Sequence, residues 1–215
     1  MKSAILDLLF PPKCAFCARV IQPGGNGICR DCWEKLLRTG AQCRKKGDYF
    51  TMCVSPLYYE GKVRESLLRY KFRNAQSCAE AYALLVAECI QQEFPSGFDL
   101  LSWVPVSRQR LRQRGYDQAY LLAEGVGRLL GCRPVRLLEK VRNAPAQSGM
   151  GSAEKRRANI SGAYRVTAAE NLEEQRILLL DDIVTTGATF SECAKTLLRA
   201  GARQVLCAAV ARDHD

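Results

Sequence analysis

The chain has 215 residues, 47% of them hydrophobic and 25% charged, with a formal net charge of +10. This is room for one full domain and a small appendage, in an ordinary globular composition. No apolar run reaches the ~20 residues of a membrane span, and the opening SAILDLLFPP is broken by Asp7 and lacks a cleavage site, so membrane insertion and secretion are not expected and the cytoplasm is.

In chain order, the first patterned segment is a pair of C-x2-C knuckles, Cys14 with Cys17 and Cys29 with Cys32, separated by a glycine-rich loop over 18–28. A tight turn within each pair lets both sulfurs face one ion, and four thiolates suit a tetrahedral structural zinc. Closing the loop on a metal stabilises a module too small for a core of its own. Eleven scattered cysteines, an odd number, do not read as a disulfide framework. Neither knuckle opens a helix in a βαβ setting, as a redox C-x-x-C would. Cys43 and Cys53 suit remnants of a second metal pair but lack C-x2-C partners, and Cys78, Cys89, Cys132, Cys193 and Cys207 sit in apolar patterns as packing residues. The expected organisation is a zinc-knuckle module over 1–55 and a second domain over 56–215.

The second domain alternates helices and strands. An extended lead-in at 57–59 precedes an amphipathic helix from Lys62 to about residue 72, and 77–94 form another helix. FDLLSWVPVS (98–107) is a strand closed by Pro105, whose missing N–H suits a strand end. Residues 118–130 form a helix stopped near Gly131, and RPVRLLEKV (133–141) is the next strand. A polar loop follows to about 153, then a short helix near 154–159. This order predicts an α/β fold with a mostly parallel sheet covered on both faces.

RILLLDDIVTTGATF (176–190) carries the chemistry. Ile177 to Leu180 read as a strand buried on both faces, with Asp181 and Asp182 at its carboxyl end, where open α/β sheets bind ligands. Thr185, Thr186, Gly187, Ala188 and Thr189 then lead into a helix over 188–200, whose free N–H groups favour an anion. A phosphate in the turn beside two carboxylates that suit hydroxyls or Mg²⁺ describes a sugar phosphate. The plainer reading is that Asp182 or Thr186 caps a helix after a core strand. No GxxxxGK[ST] lysine is present, which disfavours a P-loop.

ILLLDDIVTTGAT resembles the 5-phosphoribosyl-1-pyrophosphate (PRPP) motif of type I phosphoribosyltransferases, in which the acids hold the ribose hydroxyls and the loop holds the 5-phosphate. Cysteine knuckles followed by such a domain resemble the ComF family of competence and DNA-utilisation proteins. YYEGKVRESLLRYKF (58–72), VPVSRQRLRQRGYDQAYLLA (104–123), QSGMGSAEKRRANISGAY (147–164) and the last strand, RQVLCAAVAR (203–212), are similar to the same family. Asp117 departs from it, where R-G-[FY]-N-Q is usual, as does the sparse Cys43/Cys53 region. The resemblance implies diphosphate contacts at Ser107 and Arg108, with Lys71 as a further contact. It also implies a mobile loop over 145–163 that brings Lys155, Arg156 and Arg157 to the leaving group, and Mg²⁺ with PRPP.

The positive excess lies in two places, +5 over 1–55 and +7 over 99–160. Arg108, Arg110, Arg112 and Arg114 cluster in SRQRLRQR. With Arg156 and Arg157 they exceed what one diphosphate needs and suit a nucleic-acid backbone, Trp103, Tyr116 and Tyr120 being near for stacking; solvated surface charge is the plainer reading. Two functions compete. In one, the protein acts in competence, DNA uptake or use of external DNA, keeping a PRPP pocket, binding single-stranded DNA and working with a DNA-uptake or helicase protein. In the other, it is a nucleobase-salvage phosphoribosyltransferase. A zinc-dependent transcription factor has only the knuckles and the charge in its favour.

Overall fold

The computed structural model describes residues 11–142, 161–167 and 170–214. The expected helix near 154–159 and the candidates Lys155, Arg156 and Arg157 lie outside them. Strands β1 (Arg44–Lys45), β2 (Met52–Val54), β3 (Leu57–Tyr58), β4 (Leu100–Trp103), β7 (Arg176–Val184) and β8 (Gln204–Arg212) form one sheet in the order β1-β2-β8-β7-β4, with β3 also paired to β8. Every pairing is parallel except β1 with β2. β1 and β2 precede residue 55, so the segment carrying the knuckles also supplies strands to the main sheet.

Burial on both faces follows from the alternation of side chains along a strand. Leu178 and Leu180 of β7 pack into one core and Ile177 and Leu179 into the other. The first core is closed by helices α1 (Arg30–Lys35), α2 (Gly61–Phe72), α3 (Cys78–Glu93) and α5 (Gln118–Leu130), the second by α6 (Ala188–Arg199). α5 and α6 start and end as their spacing predicts, to within a residue. Asp117 caps α5 through Ala119 N and Tyr120 N, and Gly131 ends it in the left-handed region.

Three elements differ from expectation. β7 does not stop at Leu180: β8 offers ladder partners as far as Val184↔Arg212, so the strand runs through both aspartates. The strand expected over 133–141 shrinks to β5 (Leu138–Lys140), which pairs antiparallel with β6 (Tyr164–Val166) in a separate two-stranded sheet. Pro134 makes only an isolated bridge to Leu101, since it has no N–H to extend a ladder. Finally, Arg108–Arg114 is a helix, α4, where the sequence reading saw only a basic cluster. Its single apolar residue, Leu111, gave no periodicity; the signals were the cap Ser107 and Gly115 at φ +78°.

The knuckle region packs into the first core. Phe16 meets Tyr82 edge-to-face at 5.9 Å between ring centres. Arg69 of α2 donates to Ala15 O at 3.0 Å and Phe16 O at 2.8 Å, and Ser66 Oγ also donates to Ala15 O. No helix among the described residues is long and apolar enough to cross a membrane.

Candidate functional site

Asp181 and Asp182 lie at the carboxyl end of β7 and reach one cavity of about 330 Å³ from opposite faces of the strand. Asp182 faces α2: its Oδ1 lies 3.0 Å from Lys71 Nζ, the residue is buried, and its Oδ2 has no hydrogen-bond partner among the described residues. Asp181 faces the other way, and its charge pushes up the Tyr164 phenol and the Cys193 thiol, both of them raised chiefly by burial. Burial holds the Asp181 carboxyl well above the usual range, with the Asp182 charge pushing the same way and Lys71 opposing. Asp181 Oδ1 accepts the Asp182 N–H at 2.8 Å. Two carboxyls in this setting favour any ligand that brings hydroxyl donors or a cation.

The turn after β7 is built as its small residues allow. Gly187 is the N-cap of α6 at φ +78°, a conformation that disfavours other residues. A Cβ there would also come within 3.3 Å of Phe50 Cζ. Thr186 Oγ1 accepts the Ala188 N–H at 3.3 Å. Thr185 and Thr189 line the cavity, while Gly187 and Ala188 are buried behind it.

Of the candidate cations, Lys71, Arg110 and Arg114 line this cavity. Ser107 and Arg108 do not line it. Ser107 is buried and its Oγ accepts the Arg110 N–H at 3.3 Å as the α4 cap, and Arg108 is exposed. Helix α4 divides its arginines by face, because residues four apart share a side. Arg110 and Arg114 point to the cavity and Arg112 is exposed elsewhere. Burial lowers the Arg114 pKa, which Asp182 partly restores.

Sequence reasoning missed Lys140, Tyr164, Gln118 and Tyr59, all of which line the cavity. Burial lowers the Lys140 pKa, and Arg110 lowers it further. A lysine inside an apolar strand was the available signal. Asp117 sits just behind the site: its Oδ2 accepts from Trp103 Nε1 at 3.2 Å and Val106 N at 3.4 Å, and its Oδ1 from Ala119 N and Tyr120 N at 3.1 and 3.2 Å. Four donors converge on an acceptor-only group, which fixes the turn after β4 against the start of α5.

The four knuckle sulfurs of Cys14, Cys17, Cys29 and Cys32 lie within 4.8 Å of one another, the one such cluster among the described residues. Cys14 Sγ accepts the Cys29 N–H and Cys29 Sγ accepts the Cys32 N–H, each at 3.4 Å, as thiolates at a metal do. Burial would raise the Cys17 thiol, but the Arg19 side chain and backbone outweigh it and bring it to about 6. Cys32 is pushed up by burial and the neighbouring thiols. The donor set fits a structural zinc. Cys43, by contrast, is buried, its thiol raised by burial and by Glu93 of α3.

Two domain families match different parts of the chain. The double zinc ribbon domain matches residues 5–64 and the phosphoribosyl transferase domain residues 117–215. Competence protein ComFC of Bacillus subtilis is 29% identical over 87% of this chain and 72% of its own length. Competence protein F of Haemophilus influenzae is 25% identical over 93% of this chain and 96% of its own. The DNA utilization protein YhgH of Escherichia coli O6:H1 is 27% identical over 92% and 96%. Among solved structures, a purine phosphoribosyltransferase from Pyrococcus horikoshii overlays 62% of this chain and 82% of that one, at 13% identity and a TM-score of 0.39. With its zinc-ribbon cysteines, its phosphoribosyltransferase-like α/β domain and its likeness to competence and DNA-utilisation proteins along most of its length, the chain resembles the ComF family.

Proposed function

We propose that the protein binds PRPP with Mg²⁺ and acts in competence, DNA uptake or the use of external DNA, with single-stranded DNA as its second ligand. The observation that carries the reading is the lining of one cavity by Asp181 and Asp182 together with Lys71, Arg110, Arg114 and Lys140. Carboxylates alone would repel a phosphorylated sugar, and cations alone would not distinguish its hydroxyls. In this reading Asp181 and Asp182 accept from the ribose hydroxyls, and Thr185 and Thr189 donate to the 5-phosphate beside the α6 N-terminus. The arginines and lysines answer the diphosphate. Mg²⁺, held by the diphosphate and the carboxylates, would neutralise charge on that group. The names of the relatives in competence and DNA utilisation support the cellular role.

Calorimetric titration of the full chain with PRPP tests the reading, with and without Mg²⁺. Saturable binding that weakens on magnesium removal and in Asp182→Asn is expected. Absence of PRPP binding by the parent protein would overturn it.

A further inference from the structure

A second cleft, of about 810 Å³, adjoins the cavity of the aspartates and shares Tyr59, Lys71, Arg110 and Arg114 with it. Its remaining wall comes from the end of α2 and from α4, including Phe72, Arg73 and Gln113. Among the described residues, four cations line it and no carboxylate does. Among the described residues, no carboxylate pairs with Arg73 or Arg110. Phe72 is 66% exposed, and the Arg114 guanidinium lies 4.9 Å from the centre of its ring. An exposed aromatic ring with a guanidinium at its face is a platform on which a base stacks, and surrounding cations track a phosphodiester backbone. At this volume the cleft lies toward the upper end of the ~300–1,000 Å³ of small-molecule sites, more than a single base fills.

Resting on the reading above, we infer that this cleft is where single-stranded DNA binds, a base stacking at Phe72, and that strand and PRPP share Lys71, Arg110 and Arg114. The two ligands therefore oppose each other. Arg110 and Arg114 stand between the clefts and cannot give their full charge to a strand phosphate and a diphosphate together. Arg73 and Phe72 line the strand cleft and not the cavity of the aspartates. Arg112 lines neither.

Fluorescence anisotropy of a labelled oligodeoxythymidylate of about twelve nucleotides, with the full chain at fixed salt, tests this. Phe72→Ala combined with Arg73→Gln should weaken the oligonucleotide at least about tenfold, with PRPP affinity by calorimetry and the melting temperature close to the parent's. Arg110→Gln should weaken both ligands, and Arg112→Gln the oligonucleotide by much less. Saturating PRPP should raise the apparent oligonucleotide Kd severalfold. Thymidine monophosphate should compete only at far higher concentration, which separates a strand from a free nucleotide. Unchanged oligonucleotide binding in the Phe72/Arg73 variant, or indifference of the oligonucleotide to PRPP, overturns the shared site. A parent that binds the oligonucleotide through Phe72 and Arg73 yet never binds PRPP leaves the strand cleft standing and removes both the sharing and the PRPP reading. One that binds PRPP and no oligonucleotide removes the cleft alone.

Discussion

Lys71 Nζ lies 3.0 Å from Asp182 Oδ1, and this contact ties the last turn of α2 to the carboxyl end of β7. Both side chains are largely withdrawn from water, at 20% and 4% exposure. Lys71→Met should therefore leave a buried carboxylate uncompensated, at a cost of about 3–5 kcal/mol. Urea unfolding should show the loss, and adding Asp182→Asn should recover much of it. A double variant no more stable than the single one would mean that α2 packing, not charge, sets the value of Lys71.

Asp117 gives a prediction in pH. Burial raises its carboxyl pKa, and the Tyr120, Val106, Trp103 and Ala119 N–H donors only partly offset that. The folded state thus holds its proton more tightly than the unfolded state does. The site's contribution is complete below the ordinary value of about 3.9 and is lost as pH rises through the raised folded value. Asp117→Asn has no such titration, and its amide donors would face Trp103 and Val106, which are donors already. The stability difference between parent and variant should favour the parent most at acid pH and narrow as pH rises. Urea midpoints across this range would check it, and a difference that widened with pH would contradict the assignment.

The two halves of the motif over 181–189 should fail differently. Asp181→Asn with Asp182→Asn should cost PRPP about 1.5–3 kcal/mol per lost charge-assisted hydrogen bond. Ribose 5-phosphate, which has the same hydroxyls, should weaken too. Gly187→Val should damage binding of any 5-phosphate, since φ +78° and the Phe50 ring leave a branched side chain no place. Inorganic pyrophosphate, which has neither ribose nor 5-phosphate, should lose little in either variant. Calorimetry with the three ligands separates the cases, and parent-like PRPP affinity in the Asn pair would remove the acids from the site.

Metal analysis of the purified chain should give about one zinc per molecule through the four knuckle cysteines. Cys29→Ser should abolish it, and an unchanged content would sink the assignment. The consequence should reach beyond the knuckles. Ser66 and Arg69, which hold the Ala15 and Phe16 carbonyls between Cys14 and Cys17, belong to the helix that carries Lys71. Chelation should accelerate hydrogen exchange in α2 as well as around the knuckles, whereas α6 on the opposite face should change little.

Much of this arrangement was legible because local signals agreed with one another. The unbroken apolar run over 177–180 and the stop at Gly131 each fixed an element without help from distant residues. The acids and the threonine turn were found for the same reason, their spacing being local. What could not be read was whatever depends on a partner across the fold. The run of β7 past Leu180 depends on β8, and the failure of 133–141 to join the main sheet depends on how Pro134 meets β4. Lys140 and Tyr164 reach the cavity only through the pairing of β5 with β6, which places Lys140 opposite Tyr164. The arginines of α4 looked like one cluster because a string of letters carries no helical faces.

The position of β8 bears on how the protein is made. Its partners β2 and β3 are synthesised about 150 residues earlier, and β7 just before it, yet all three pair to it. Until residues 204–212 have left the ribosome, β2 has only the two-residue β1 beside it, β3 lacks its partner strand, and one edge of β7 lies open along an apolar stretch. Parallel pairings of such long separation form slowly and leave sticky intermediates. Knuckles closed on their metal early in translation would hold the leading segment compact through that wait. Ribosomes stalled short of residue 204 should therefore carry nascent chains that proteases cut readily and that chaperones retain.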